Sequence, residues 1–271
     1  MERLKNLKKI VIVSCGTSYY AGLLGRYIFE SLSALHVEVE VASEFRYRKL
    51  KIDENTAILA LSQSGETADT LAAIREAKRK GALILGIVNV VGSAIAQVTD
   101  AGVYNHAGPE FGVASTKIYT SQLVILTLMA LLIGRYQGIS YAEGSEVIQA
   151  IKKLPRQVKK ILTDMEHIKK LALDYARYQD FLFIGRLFNY PTAMEAALKL
   201  KEISYIHAEG YPAGEMKHGP ISLIDENFPT VAIVSRDSTL DKMLSNIQEI
   251  KARNGRVLAV ASRGCGHVRD V

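Results

Sequence analysis

The sequence predicts an α/β fold made of two domains, each a parallel sheet covered by helices. Three observations predict it. Short apolar, β-branched runs alternate with segments of helical periodicity. Most of those runs are continuous rather than alternating, as in strands buried on both faces. The same order of elements also occurs twice, on either side of a basic amphipathic stretch.

Ile10-Val11-Ile12-Val13-Ser14 reads as a buried strand ending at Gly16. Ala21, Leu24, Ile28, Leu32 and Leu35 then recur at helical spacing. Val37 to Val41 alternates apolar and charged residues, the pattern of a strand near an edge. Ala57 to Leu61 is a second buried strand. The helix after it carries Leu71, Ile74 and Ala77 on one face and stops near Gly81, a natural C-terminal cap. Ala82 to Val88 is a third buried strand, and Val103-Tyr104 a short fourth. From about 140 to 178 apolar residues recur every three or four positions among Lys, Glu and Gln, so one or two amphipathic helices are expected, with Pro155 near a helix start. The rhythm then restarts with strands at Phe181–Gly185, Thr230–Val234 and Val257–Val260, and helices at Pro191–Ile206 and Leu240–Ala252. The division expected is a first domain at 1–138, a helical connector at 139–178 and a second domain at 179–271. Residues 263–271 offer no closing helix, so the second domain is expected to be incomplete at its carboxyl end.

Composition narrows the function. With 271 residues, 48% of them hydrophobic, the chain can bury a sizeable core. The formal net charge of +6 is spread along the chain in clusters such as Lys78-Arg79-Lys80 and Lys159-Lys160, which read as solvated helix faces. No basic surface interleaved with aromatics is evident, so nucleic acid is not an expected partner. The amino terminus lacks the apolar core of a signal peptide. The apolar run Leu123–Ile133 is too short to span a bilayer comfortably and reads as a core helix or one buried between subunits. No membrane partner is expected. Cys15 and Cys265 form no CxxC pair and have no His cluster at metal spacing, so neither metal nor cofactor is expected, and the reading is a reduced, cytoplasmic protein. Cys15, at a strand end, reads as a packed thiol.

Two stretches carry chemistry. Ser62-Gln63-Ser64-Gly65-Glu66-Thr67 follows a buried strand and opens a helix. The first turn of a helix has unpaired N–H groups and the positive end of the dipole, which suits a phosphate dianion. Ser62, Ser64 and Thr67 add hydroxyl donors, Gln63 an amide, and Gly65 close backbone approach. Thr17 and Ser18, at the neighbouring strand end, would face the same crevice. The competing reading is plain helix capping by Ser64 with Glu66 or Thr67. A second hydroxyl-rich turn, Gly112 to Lys117, precedes the most apolar helix and reads either as an N-terminal cap or as a binder of sugar hydroxyls from the other side.

The other stretch holds Lys199, Glu202 and His218. Lys199, Glu202 and Ile206 fall on one helical face. A carboxylate held by a lysine suits proton transfer between adjacent sugar carbons, although a surface ion pair is the commoner case. His218 sits among Gly214, Gly219 and Pro220 on an expected irregular loop, where an imidazole could open a sugar ring.

The longer strings around these residues resemble a known family. Val13 to Ser18, Ser43 to Arg48, Leu61 to Leu71, Gly112 to Lys117 and Leu198 to Pro220 are similar to the isomerase half of the glutamine–fructose-6-phosphate aminotransferases. The resemblance covers essentially the whole chain. It implies two sugar-isomerase (SIS) domains of flavodoxin-like topology, a homodimer, and fructose 6-phosphate as substrate on the way to glucosamine 6-phosphate. It implies that Ser18, Ser62, Gln63, Ser64 and Thr67 hold phosphate and sugar, with Thr17 beside them, and that Val113 and Ser115 contact the sugar. Glu202 would move the proton between C1 and C2 with Lys199 nearby, and His218, from the partner subunit, would open the ring. No stretch matches the family's glutaminase domain. Nothing after Val260 matches the tail whose lysine forms a Schiff base in the family, so weak binding and poor turnover are expected. A non-catalytic SIS regulator that binds sugar phosphate is the alternative. Glu202 and His218 favour the enzyme, because a sensor needs only the cradle.

Overall fold

The computed structural model describes residues 2–49, 52–163, 165–265 and 268. The chain forms two compact units, residues 1–152 and 153–271.

In the first unit a short helix α1 (Glu2–Lys5) leads into β1 (Lys9–Ser14), α2 (Gly16–Leu32), β2 (His36–Val41), α3 (Ala42–Phe45), β3 (Thr56–Ser62), α4 (Ala68–Arg79), β4 (Leu83–Val88), α5 (Ala94–Val98), β5 (Ala101–Tyr104) and α6 (Lys117–Gln137). The strands form one parallel sheet in the order β2-β1-β3-β4-β5, so Val37 to Val41 does lie in an edge strand. The two-residue period of the strands sorts their side chains onto two faces. Ile10, Ile12, Leu59 and Leu61 pack with Phe29 of α2 and Leu126, Ala130 and Ile133 of α6. Val11, Val13, Ile58 and Ala60 pack with Ala73, Ile74 and Ala77 of α4. Every residue of β3 and β4 is buried, which is why both read as uninterrupted apolar runs. Both therefore deliver their carboxyl ends rigidly to whatever binds there.

The helix α7 (Tyr141–Thr163) runs through the boundary between the units. Pro155 lies inside it rather than near a start. In the second unit α8 (Glu166–Tyr175) precedes β6 (Asp180–Gly185), α9 (Asn189–Ser204), β7 (His207–Pro212), two short 3₁₀ turns (Ala213–His218 and Pro220–Leu223), β8 (Thr230–Val234), α10 (Leu240–Lys251) and β9 (Val257–Ala261). Its sheet is parallel, in the order β7-β6-β8-β9. These positions repeat the first four of the other sheet. Residues 266, 267 and 269–271, on which the expectation about a closing helix partly falls, lie outside the described residues.

The apolar run at Leu123–Ile133 extends into the 21-residue α6, which by length and composition is long enough to cross a membrane. One of its faces is part of the core: Ile118, Gln122, Leu126, Ala130 and Ile133 are all buried. It also lies against α2 at Gly134, where a Cβ would meet the Leu32 carbonyl oxygen at 1.9 Å.

Candidate functional site

The turn between β3 and α4 is held from inside and from the side. Ser62 is buried, and its Oγ accepts a hydrogen bond from the Gly65 N–H at 3.0 Å and lies 3.3 Å from Thr67 Oγ1. Ser64 Oγ accepts from the Glu66 N–H at 3.1 Å. Gly65 takes φ +69°. Its carbonyl accepts from the Ile95 N–H at 2.9 Å, and Glu66 Oε1 accepts from the Ala94 N–H at 2.8 Å. A Cβ on Gly65 would sit 1.9 Å from Ser93 Oγ, so the turn rests directly on the loop before α5.

This bracing leaves the helix end open. The N-cap of α4 is Thr67, and its side chain makes no cap bond. Ser64 serves the turn rather than the helix, so the capping reading does not describe it. The first-turn N–H groups of α4 thus keep the character of an anion site. The one acidic residue of that turn, Asp69, is engaged by Arg46 at 2.9 Å.

A second helix start lies alongside. Cys15 is the N-cap of α2, also without a side-chain cap bond, and its Sγ is 3.9 Å from Thr70 Oγ1 in α4. Gly16 turns the chain at φ +55°. Thr17 is half-buried. Ser18 is buried, and its Oγ accepts from Nε2 of the fully buried Gln122 at 3.0 Å. Ser18, Ser62, Gln63, Ser64 and Thr67 therefore share the carboxyl ends of β1 and β3, where ligands of open parallel sheets bind.

The turn before α6 differs. Glu110 Oε1 accepts from the Thr116 N–H at 2.9 Å, the Ile118 N–H at 3.1 Å and Ser115 Oγ at 3.5 Å. Burial pushes this carboxyl up, but those backbone donors and Lys117 outweigh it and hold it below its ordinary value. A carboxylate of the chain already fills this helix end. Ser115 is turned toward Glu110, and Val113 is exposed.

In the second unit, Lys199 Nζ donates to Glu202 Oε2 at 2.6 Å and stands 3.4 Å from Glu195 Oε1. The Lys199 and Glu202 side chains are only 18% and 29% exposed, and that of Glu195 only 7%, so this is a partly buried triad rather than a surface pair. Glu195 did not stand out in the sequence, although it is four residues before Lys199 on the same face. Ile206 is not on that face: α9 ends at Ser204, and Tyr205 takes the left-handed conformation at φ 61°. His218 ends the first 3₁₀ turn, not an irregular loop, and is exposed ahead of Gly219 at φ +145°. Among the described residues no group of His, Cys, Asp and Glu could hold a metal ion. A concavity of 550 Å³ at the amino ends of β6 and β9 mixes Arg177 and Arg256 with Asp180 and Glu226, so its charge selects no ligand class.

Two parallel-sheet units, one with open helix starts lined by hydroxyls and one with a partly buried Glu–Lys–Glu row, define an α/β protein of duplicated architecture. The chain belongs to the SIS domain family, whose model matches residues 3–132 and 177–265. It is 51% identical over 264 residues to the glutamine–fructose-6-phosphate aminotransferase [isomerizing] of Chlorobaculum tepidum, covering 97% of this chain and 43% of that protein. The Bacteroides thetaiotaomicron protein of the same name is 50% identical over 264 residues, covering 97% of this chain and 43% of that protein. Among solved structures, the C-terminal domain of glucosamine-fructose-6-phosphate aminotransferase from Francisella tularensis superposes with a TM-score of 0.96 at 39% identity, over 100% of this chain and 76% of that one. The chain thus spans less than half the length of the curated relatives it matches.

Proposed function

We propose that this chain binds fructose 6-phosphate and provides the isomerase step of glucosamine 6-phosphate formation, a transfer of one proton between C1 and C2. The observation that carries the reading is the braced but unfilled start of α4. A phosphate there would meet backbone N–H groups, the positive helix end and the hydroxyls of Ser64 and Thr67. Gln63 and Ser18 would hold the sugar phosphate from either side, with Ser62 fixing the turn. Val113 and Ser115 would lie along the sugar.

Glu202 is the base in this reading. It accepts the C1 proton and returns it to C2, so the proton count is unchanged over the step. Lys199 holds Glu202 in place through its 2.6 Å hydrogen bond, and Glu195 stands on the other side of the ammonium. His218 moves the proton of the anomeric hydroxyl as the ring opens. Two copies assemble as a homodimer, and the partner contributes His218. The similarity to glutamine–fructose-6-phosphate aminotransferases [isomerizing] supports the substrate class, and the Lys199–Glu202 contact supports the base.

Calorimetric titration with fructose 6-phosphate tests the reading. Binding is expected, weakened roughly tenfold or more in Ser64→Ala, since one hydrogen bond to a charged group is worth about 1.5–3 kcal/mol. No binding, or binding indifferent to Ser64→Ala, would refute it.

A further inference from the structure

We propose that Gln122 is a positioning residue for the phosphate cradle and sets the direction in which Ser18 offers its proton. This deepens the function proposed above and rests on it. Gln122 is the one polar residue among the buried residues of α6. A polar side chain there must find its partners inside the protein. Its Nε2 donates to Ser18 Oγ, and its Oε1 is buried without a partner among the described residues. The amide therefore leaves one oxygen unmet and commits its donor to Ser18. Reversing it would strand N–H groups, the rarer defect in folded proteins. A Leu or Met would continue the apolar stripe with no orphaned oxygen, so packing alone does not account for an amide at 122.

The consequence lies with Ser18. A hydroxyl has one proton and two acceptor positions. With an amide N–H on the Ser18 oxygen, the proton points elsewhere. A helical serine commonly gives it to a carbonyl one turn back. Among the described residues, Ser18 makes no such bond. It is an uncommitted donor in the first turn of α2, beside the start of α4 to which Cys15 and Thr70 tie it. Accepting a bond from Gln122 also strengthens Ser18 as a donor. An anionic phosphate oxygen is the acceptor such a donor fits.

The test is a double-mutant cycle on the full chain. Wild type, Gln122→Met, Ser18→Ala and the double variant are titrated with fructose 6-phosphate and with inorganic phosphate. Each single change should weaken binding roughly tenfold, and the double variant no further than the worse single one. Additive losses, or wild-type affinity in Gln122→Met, would overturn the role. Ser64→Ala separates the two proposals. If it weakens binding and Gln122→Met does not, the cradle stands and the role of Gln122 falls. If inorganic phosphate follows the cycle but the sugar phosphate does not bind, Gln122 stands and the sugar assignment falls. If neither binds, both fall. If Gln122→Met does not fold, the Gln122 side-chain amide resonance decides. Protection from solvent exchange that disappears in Ser18→Ala supports the contact, and an amide indifferent to Ser18→Ala overturns it.

Discussion

Gly65→Ala should damage both the stability of the first unit and its affinity for a phosphate. Gly65 holds φ +69°, and an L-residue in the left-handed region costs about 1–2 kcal/mol. The new methyl would also lie 1.9 Å from Ser93 Oγ and 2.4 Å from Ser93 Cβ, inside any allowed contact. Relief requires the turn to lift off the loop before α5, stretching the bonds from Ile95 N–H to Gly65 O and from Ala94 N–H to Glu66. Overpacking of this kind costs about 1–3 kcal/mol. The sum, about 2–5 kcal/mol, corresponds to a fall of roughly 4–20 °C in melting temperature for a unit of this size. Thermal melting followed by circular dichroism reads the stability, and calorimetric titration reads the affinity. Ser93→Gly in the same chain removes both clashing atoms. It should restore the packing share and leave the backbone share, because the Ser93 hydroxyl has no partner among the described residues to lose. Gly65→Ala melting and binding like wild type would refute the reasoning that the turn is held by close approach.

Three further changes separate the parts of the site. Glu202→Gln should keep fructose 6-phosphate affinity within about twofold and lower isomerisation by about 10²–10⁴; a comparable loss of affinity would assign Glu202 to binding instead. Ser62→Ala strands the buried Gly65 N–H, at about 1–3 kcal/mol in urea unfolding, and an unchanged midpoint would show that Ser62 does not brace the turn. Glu110→Gln removes the charged cap of α6 and should cost about 1 kcal/mol at neutral pH. The folded-state value of Glu110 lies below 4.5, so its contribution is complete above about that pH and is lost as pH falls through the lower folded value. Unfolding midpoints of wild type and Glu110→Gln should therefore converge on acidification, and a gap that stays constant would exclude the charge as its cause.

The parts legible in the sequence were those whose cause is local. β1, β3, β4, β6 and β8 show as apolar runs because strands inside parallel sheets select apolar residues, and β9 shows one although it is a half-exposed edge strand. α4 shows its end because Gly81 takes φ +86° just past it. β7 was not legible. Its residues, His207-Ala208-Glu209-Gly210-Tyr211-Pro212, hold no uninterrupted apolar run. Its Gly210 suggests a turn, yet the missing side chain serves packing: a Cβ there would stand 2.5 Å from Met194 Cα of α9. The supports of the site were hidden for another reason. Gln122 meets Ser18 across 104 positions, and Glu66 meets Ala94 across 28. No local pattern encodes such partners. The turn that holds Val113 and Ser115, and the Gly- and Pro-flanked His218, stood out in the sequence, but the individual roles of the three came from family resemblance, and their geometry here fixes only where each one sits.

The repeated topology supplies an internal control on the cradle. β3 and β8 hold the same position in their sheets, and each leads through a Ser-rich turn into a helix. After β3 the turn is bonded within itself and to the α5 loop, and the cap position of α4 carries no side-chain bond. After β8 the turn is Ser235-Arg236-Asp237-Ser238-Thr239. There Asp237 Oδ1 accepts from the Thr239 N–H at 2.7 Å and from Thr239 Oγ1 at 2.6 Å, and its main-chain carbonyl accepts from the Leu240 N–H. A phosphate approaching α10 would meet a fixed carboxylate, whereas one approaching α4 meets donors. Composition alone does not separate the two turns, since both are short, hydroxyl-rich and followed by an acidic residue early in the helix. Neither cap position carries a side-chain bond, and the difference is that Asp237 keeps its carboxylate within the turn before α10 while Glu66 turns its own to the Ala94 N–H. The helices after the first strands diverge in the opposite sense. The buried residues of α2 include Gly22 and Gly25 and no charged group, whereas α9 carries Glu195, Lys199 and Glu202 on one face. On the proposed function, one copy of the unit kept the binding of the anion and the other took over the movement of the proton.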